Sequence, residues 1–443
     1  MDNADQLKAW IITVDMGLGH QRAAYPLHDI SADGIITAGD PKFTDPSETR
    51  LWKRIKALYE TISRLKDIPL FGNPLFETMN RMLRIPPLYP LVDLSKPSIN
   101  NHLVDYLIRR GLGRQFMSIV RDSRLPIITS FYAPALVADY HHYPEIYTVI
   151  TDSDLNRVWV ATKPRESNIF YFAPCGRAMR RLREYGIPDN RIFITGFPLP
   201  GENIGGPDMP ILKQDLLRRL GRLDPKGKFI SVFGATVHEL LGSPHVSAFG
   251  KEPVTVTFAV GGAGAQLEIA QNLAFSLRDS IESGEFHLNV VVGVNRQVES
   301  KFRVYVNDIG LSNWLGNGVE IICEDDKMVY FKRFNAVMRN TDILWTKPSE
   351  LSFYSALGVP IIAAPTIGSQ EDKNLKWLTD KACVLPQYNP LLAAEWLRDM
   401  LKDGILAEKA FNGFIKNRKL GIYKIAEVLK SGTMKRESHP LKR

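Results

Sequence analysis

Two stretches far apart in the chain place a short apolar run directly before a glycine loop and a helical pattern. No other feature restricts the fold as much. The first is Ala9-Trp10-Ile11-Ile12-Thr13-Val14, followed by Asp15-Met16-Gly17-Leu18-Gly19-His20-Gln21-Arg22-Ala23-Ala24. The second runs from Val254 to Val260 and continues as Gly261-Gly262-Ala263-Gly264-Ala265-Gln266. Short apolar runs alternate with longer helical patterns over most of the chain, which predicts an α/β protein with parallel sheets. Strands are expected at 11–14, 34–37, 126–129, 146–150, 158–161, 169–172 and 192–195 in the first half. In the second half they are expected at 229–232, 254–260, 288–292, 319–322, 343–345 and 359–363. The Gly- and Pro-dense stretch 196–207 between the halves reads as an exposed connector. The expected division is an N-terminal domain over 1–200, a C-terminal domain over 201–430, and a frayed basic tail over 431–443.

The 443 residues suffice for two or three cores at roughly 150 residues per domain. With 44% hydrophobic and 23% charged residues, wholesale disorder and collagen-like chains are excluded. The net charge of +8 permits phosphate-bearing or anionic membrane partners. No nucleic-acid motif accompanies it, so no nucleic-acid partner is expected. Cys175, Cys323 and Cys383 are too widely spaced for a CxxC metal site or a disulfide framework. Together with an N-terminus lacking a signal-peptide pattern, they fit a cytoplasmic location. The uncharged stretch 351–370 is broken by Gly358, Pro360, Pro365 and Gly368, and reads as buried core rather than a membrane span. The basic amphipathic stretch 52–59, with the apolar pieces around Phe71, Phe76 and Leu88, fits either of two roles. One is a helix lying at the inner face of a membrane; the other is a helical excursion packed on its own domain.

Three motifs carry chemistry. In the first, Gly17 and Gly19 let the backbone turn tightly at a strand end and bring a substrate near a helix N-terminus. His20 then faces the crevice and suits a general base, the alternative being a structural turn that this histidine caps. In the second, Gly261, Gly262 and Gly264 allow a diphosphate to approach backbone N–H groups. The full GxGxxG fingerprint is absent, which disfavours a dinucleotide-binding dehydrogenase. The third runs from Asp342 through Lys347-Pro348-Ser349-Glu350 to Gln370-Glu371-Asp372-Lys373-Asn374. Its polar loop would lie at the carboxyl ends of parallel strands, where open α/β sheets bind ligands.

Taken in order, these stretches resemble GT-B glycosyltransferases of family 28 and their relatives. That group includes monogalactosyldiacylglycerol synthases, processive diacylglycerol glucosyltransferases and the peptidoglycan N-acetylglucosaminyltransferase. Besides the glycine loops, the resemblance is carried by Thr148-Val149-Ile150-Thr151-Asp152, by Gly186, Arg191, Gly196 and Pro198, and by Gly293-Val294-Asn295. Asp342, Lys347-Pro348, Ala356-Leu357, Gln370-Glu371 and Asn374 complete it. It implies two Rossmann-like domains facing across a cleft, and an inverting, metal-independent transfer of a sugar from a nucleotide-sugar, a UDP-sugar by family habit, to a lipid or other hydroxyl acceptor. No cofactor is implied, because the nucleotide-sugar is a substrate. His20 and Asp152 fall at the catalytic positions, and Gly17 and Gly19 in the acceptor-side loop. Gly261, Gly262, Gly264, Asn295, Lys347, Glu350, Ser355, Gln370, Glu371 and Asn374 fall on the donor side.

One position departs from the family pattern. Aligning Lys347-Pro348 with Ala356-Leu357 puts Ser355 where the family carries a ribose-binding glutamate, and Ser349 and Glu350 where it carries two glycines. Ribose recognition is then weakened, shifted to Glu350, or absent. A non-catalytic sugar- or partner-binding relative, and a nucleotide-sugar 2-epimerase, are the competing expectations. Asp152-Ser153-Asp154 reads like a metal-holding DxD, but its place before the connector fits the Thr-Asp motif, so no metal is expected.

Overall fold

In the computed structural model, residues 7–64, 85–242, 252–261, 264 and 266–443 are described. The first sheet comprises β1 (Ala9–Val14), β2 (Ser31–Ala38), β3 (Ile127–Thr129), β4 (Ile146–Val149), β5 (Ile169–Phe172) and β6 (Ile192–Phe193). The second comprises β7 (Val254–Ala259), β8 (Phe286–Gly293), β9 (Val319–Cys323), β10 (Ile343–Thr346), β11 (Ile361–Ala363) and β12 (Val384–Pro386). Their orders are β2-β1-β3-β4-β5-β6 and β12-β11-β10-β7-β8-β9, and every pairing is parallel. Helices cover both faces, which is why strands such as β3, β4, β7 and β10 are buried at every residue and carry only uncharged side chains, apolar ones and threonine. The result is two Rossmann-like units, each built on a six-stranded parallel sheet, as the resemblance implies.

Strand order fixes where ligands can sit. In the first sheet the chain steps from β1 to β2 on one side and then to β3 on the other; in the second, β7 lies between β8 and β10. The loops after β1 and β7 therefore occupy the topological switch points, and these are the two glycine loops. The first lies at the seam between the domains: a Cβ on Gly293, at the end of β8, would lie 2.9 Å from Cδ1 of Leu18.

Several expectations are corrected. Residues 158–161 are buried but form no strand. Arg157–Trp159 is a 3-10 turn whose first amide groups are met by Asn156, while Arg157 donates to the carbonyls of Ser95, Val160 and Ala161. Residues 229–232 lie in the helix Lys228–Leu241, where Phe229 turns inward and Val232 outward on a helical period. β12 is a strand that its three residues give little signal for. The connector is exposed only in its second half, at Glu202 and Pro207: residues 195–200 are buried, Phe197 stacks on Phe353 at 5.2 Å, and Gly421 seats on the Phe197 carbonyl. The tail is not frayed either. Leu441 is buried, Arg418 pairs with Glu437, and the Arg443 carbonyl oxygen accepts from the amides of Lys419 and Leu420.

Of the amphipathic stretch, Trp52 is buried and its indole donates to Glu48 at 3.0 Å, so this residue packs on its own domain. Phe71 and Phe76 lie outside the described residues. Among the described residues no helix is long and apolar enough to cross a membrane.

Lys419 beneath the tail yields a stability prediction. It is fully buried, donates to the Asn417 carbonyl at 3.2 Å and lies over the Phe414 ring. Burial, with Arg443 and Arg418 adding repulsion and Glu437 opposing them, pushes its pKa from 10.5 down to about 7. Between those values the unfolded chain holds a proton that the folded chain does not, so stability rises with pH from about 7 to 10.5. Lys419→Met is expected to stabilise the protein at pH 7 by about 1–2 kcal/mol. It should also flatten the rise, which urea denaturation at pH 7 and pH 9 measures; an unchanged slope would rule the account out.

Candidate active site between the two sheets

Gly17, with φ of 92°, opens the helix Leu18–Ala24, and this turn carries His20 to the end of the first sheet. There Nδ1 lies 2.8 Å from the Ser130 carbonyl oxygen, and Phe131 meets the ring edge-on at 4.7 Å. A carbonyl only accepts, so Nδ1 carries the hydrogen and Nε2 keeps its lone pair. Burial pushes the pKa down to about 4, against the Ser130 carbonyl and the negative charge of Glu350, so the imidazole is neutral at physiological pH.

Asp152 follows β4. Its Oδ1 accepts from Nδ2 of Asn374 at 2.8 Å, across the seam. Burial raises its pKa to about 6; Glu350 and Glu371 push the same way, while the Asn374 hydrogen bond and Lys347 oppose them. Asn374 is fully engaged, since Nδ2 also donates to the Pro348 carbonyl and Oδ1 accepts from the Ser153 amide at 2.8 Å. On the second sheet, Lys347 leaves the end of β10 and donates to Glu371 at 2.7 Å, and Glu371 also accepts from the Ile367 amide. Gly261, with φ of 82°, lies beside Lys347: a Cβ there would be 3.7 Å from Cε. Gln370 is half-buried in the first turn of the helix Ser369–Asp380.

The 3-10 helix Glu350–Leu357 carries two more of the predicted residues, Glu350 and Ser355. Its end is fixed by Gly358, at φ of 68°, where a Cβ would strike Leu216, and by Arg219 donating to the Leu357 and Gly358 carbonyls. Glu350 faces the seam: Oε1 accepts from Nε of Arg22 at 3.1 Å, and Oε2 crowds Gly19, where a Cβ would lie 2.7 Å away. Ser355, at the position of the family's ribose-binding glutamate, does not reach the seam as an open group. It is fully buried, donates to the Ser352 carbonyl at 2.6 Å and accepts from Asn417 at 2.9 Å. Its serine is a helix-packing residue against Gly413. Asn295 caps the helix Arg296–Asp308 by accepting from the Val298 amide. Gly264 is described, with φ of 71°, whereas Gly262 lies outside the described residues.

The structure thus gathers His20, Gly19, Asp152, Glu350, Lys347, Glu371 and Asn374 along one seam. Asp154 takes no part: it is fully buried and paired with Arg177 at 3.1 Å and Arg181 at 2.8 Å, so the DxD is split between two environments. Among the described residues no group of three or more His, Cys, Asp or Glu could hold a metal ion. Sequence reasoning missed Arg22, which sits three residues after Gly19. Its guanidinium lies over the ring of Phe334 at 4.1 Å and donates to the Tyr330 hydroxyl at 2.9 Å. Its position on the glycine-loop helix was a usable signal; the aromatic partners, in the helix Lys327–Asn340, gave none.

Residues 311–429 match a family described as a domain of unknown function, DUF6938. No curated protein matches the chain. Similar solved structures include a UDP co-structure of S. aureus MnaA, at 13% identity over 96% of both chains with a TM-score of 0.48. A UDP-GlcNAc 2-epimerase from Neisseria meningitidis bound to UDP-GlcNAc is 11% identical over 96% of this chain and 100% of that chain, with a TM-score of 0.47. MurG from Acinetobacter baumannii is 11% identical over 96% and 99%, also at 0.47.

Proposed function

We propose that the protein is an inverting, metal-independent glycosyltransferase that moves a sugar from a nucleotide-sugar, a UDP-sugar in the first instance, to a hydroxyl acceptor. The observation that carries this reading is His20: a neutral imidazole whose Nδ1–H is held by a carbonyl, leaving Nε2 to accept a proton, at a switch point facing a second one lined by Gly261 and Lys347. In the proposed reaction the acceptor hydroxyl gives its proton to Nε2 as its oxygen attacks the anomeric carbon. The bond from that carbon to the diphosphate oxygen breaks, and the leaving charge is met by loop amides and the Lys347 ammonium. In this reading Glu371 and Gln370 hydrogen-bond the donor sugar, and Asn374 holds Asp152. A lipid acceptor and a membrane surface are compatible with this reading and stand as proposals with it.

A second reading, a non-catalytic relative that binds a sugar or a protein partner, draws on Ser355, which offers no open surface, and on Glu350, which fills space beside Gly19. Thermal-shift titration with UDP, GDP, ADP, TDP and their sugar conjugates separates the two. At 100 times the dissociation constant a ligand adds about 2.7 kcal/mol, worth a few degrees in a chain of this size. The expected result is a selective shift that Lys347→Ala abolishes. Absence of any shift would discard the transferase reading, and a donor sugar altered with no acceptor present would favour an epimerase.

A further inference from the structure

Three of the polar contacts that join the two domains across the seam differ in character. Lys327 and Asp15 pair at 2.8 Å in the open, where solvent screens them, so this pair adds little. Asn374 ties Asp152 and Ser153 to the second domain through uncharged donors. The third contact is buried: Arg22 is 4% exposed and Glu350 13%. The guanidinium comes from the first domain and enters a box of Tyr330, Phe331, Phe334 and Tyr354 from the second. Burial disfavours the cation there, but the rings and Glu350 outweigh it and hold Arg22 firmly protonated. Its carboxylate partner crowds the first glycine loop at Gly19.

We propose that Arg22 and Glu350 form a self-occupying latch, in which Glu350 stands in for an anionic group of the ligand and holds the domains closed until such a group takes its place on Arg22. The physical reason is charge. A buried guanidinium that lost Glu350 to a neutral ligand would be left uncompensated, so only an anion can displace the carboxylate without that penalty. A phosphate or diphosphate group meets the requirement, and the side chain that yields its place swings away from Gly19 and opens the loop. The inference rests on the seam itself and not on the transferase reading.

Two variants test it. Glu350→Gln removes the charge and keeps the shape. Gly19→Ala places a Cβ 2.7 Å from Oε2 and so displaces the carboxylate while leaving both charged groups present. In the ligand-free protein, amide hydrogen exchange in the helices Leu18–Ala24 and Lys327–Asn340 is expected to quicken roughly tenfold in both variants, with β4 and β7 unchanged. Exchange within twofold of the parent in both would overturn the latch. Inorganic pyrophosphate is the anion probe: Glu350→Gln should bind it about tenfold more tightly than the parent, because the competing carboxylate is gone. Equal affinity, or no binding to either protein, would overturn the exchange of anions on Arg22. Pyrophosphate binding with the expected preference and no response to any nucleotide-sugar would leave the latch standing and remove the transferase reading.

Discussion

Asp154→Ala is expected to destabilise the protein by about 3–5 kcal/mol, because it removes one partner of a buried ion pair and leaves the other in place. Arg181 is fully buried and donates to both oxygens of Asp154, at 2.8 and 3.2 Å, while Arg177 reaches the same carboxylate from one turn earlier. The carbonyl of Pro86 and the carboxylate of Glu184 would still bind Arg181, so its charge is not stranded entirely. Because the pair pins the helix Gly176–Glu184 to the segment after β4, the effect should appear as loss of the whole N-terminal sheet. Urea unfolding of both proteins measures it, and a loss under about 1 kcal/mol would show that Glu184 alone satisfies the arginine.

His20→Ala should lower turnover by roughly 10²- to 10⁴-fold, the span expected when a positioned general base is removed. The quantity to follow is release of nucleoside diphosphate from whichever donor the thermal-shift titration selects; full retention would take His20 out of the chemistry. The pH profile carries a second check. With its pKa pushed down to about 4, His20 does not titrate near neutrality, so an acid limb centred near 6 would belong to Asp152, whose pKa burial raises to about 6. The two groups also pull stability in opposite directions. Between pH 6.5 and about 4 the unfolded chain binds a proton at His20 that the folded chain refuses, so stability falls as pH falls. For Asp152, between about 6 and 3.8, the folded chain is the one that binds the proton, and stability rises as pH falls. Removing His20 should therefore lessen the loss of stability on mild acidification.

How much of this was legible beforehand depends on the range of the interaction concerned. Strands buried on both faces announce themselves as local apolar runs, so β1, β4, β7, β8 and β10 stand out in the sequence. The glycine loops do the same, because a tight strand-to-helix turn needs glycine in a short window. Residues 158–161 and 229–232 misled for the same reason: an apolar tetrad records burial but not the geometry that buries it. Glu350 and Ser355 show the other limit. Both stand in one short helix, yet one meets Arg22, 328 positions away, and the other meets Asn417, 62 positions away. Which of them faces the seam is decided by the phase of a 3-10 turn, which residue types alone do not set.

That short helix also links the seam to the connector. Glu350 grips the first domain at its start, and Phe353, one 3-10 turn further on, stacks on Phe197 in the connector. One turn rises roughly 6 Å, so the point where the domains clasp lies almost on the pivot about which they would swing, and parting them by 1 Å there takes about 10° of rotation. A catch set so close to its axle resists with a short arm, so a modest pull at the far rim bears heavily on it, and a small slip of the catch swings that rim through a wide arc.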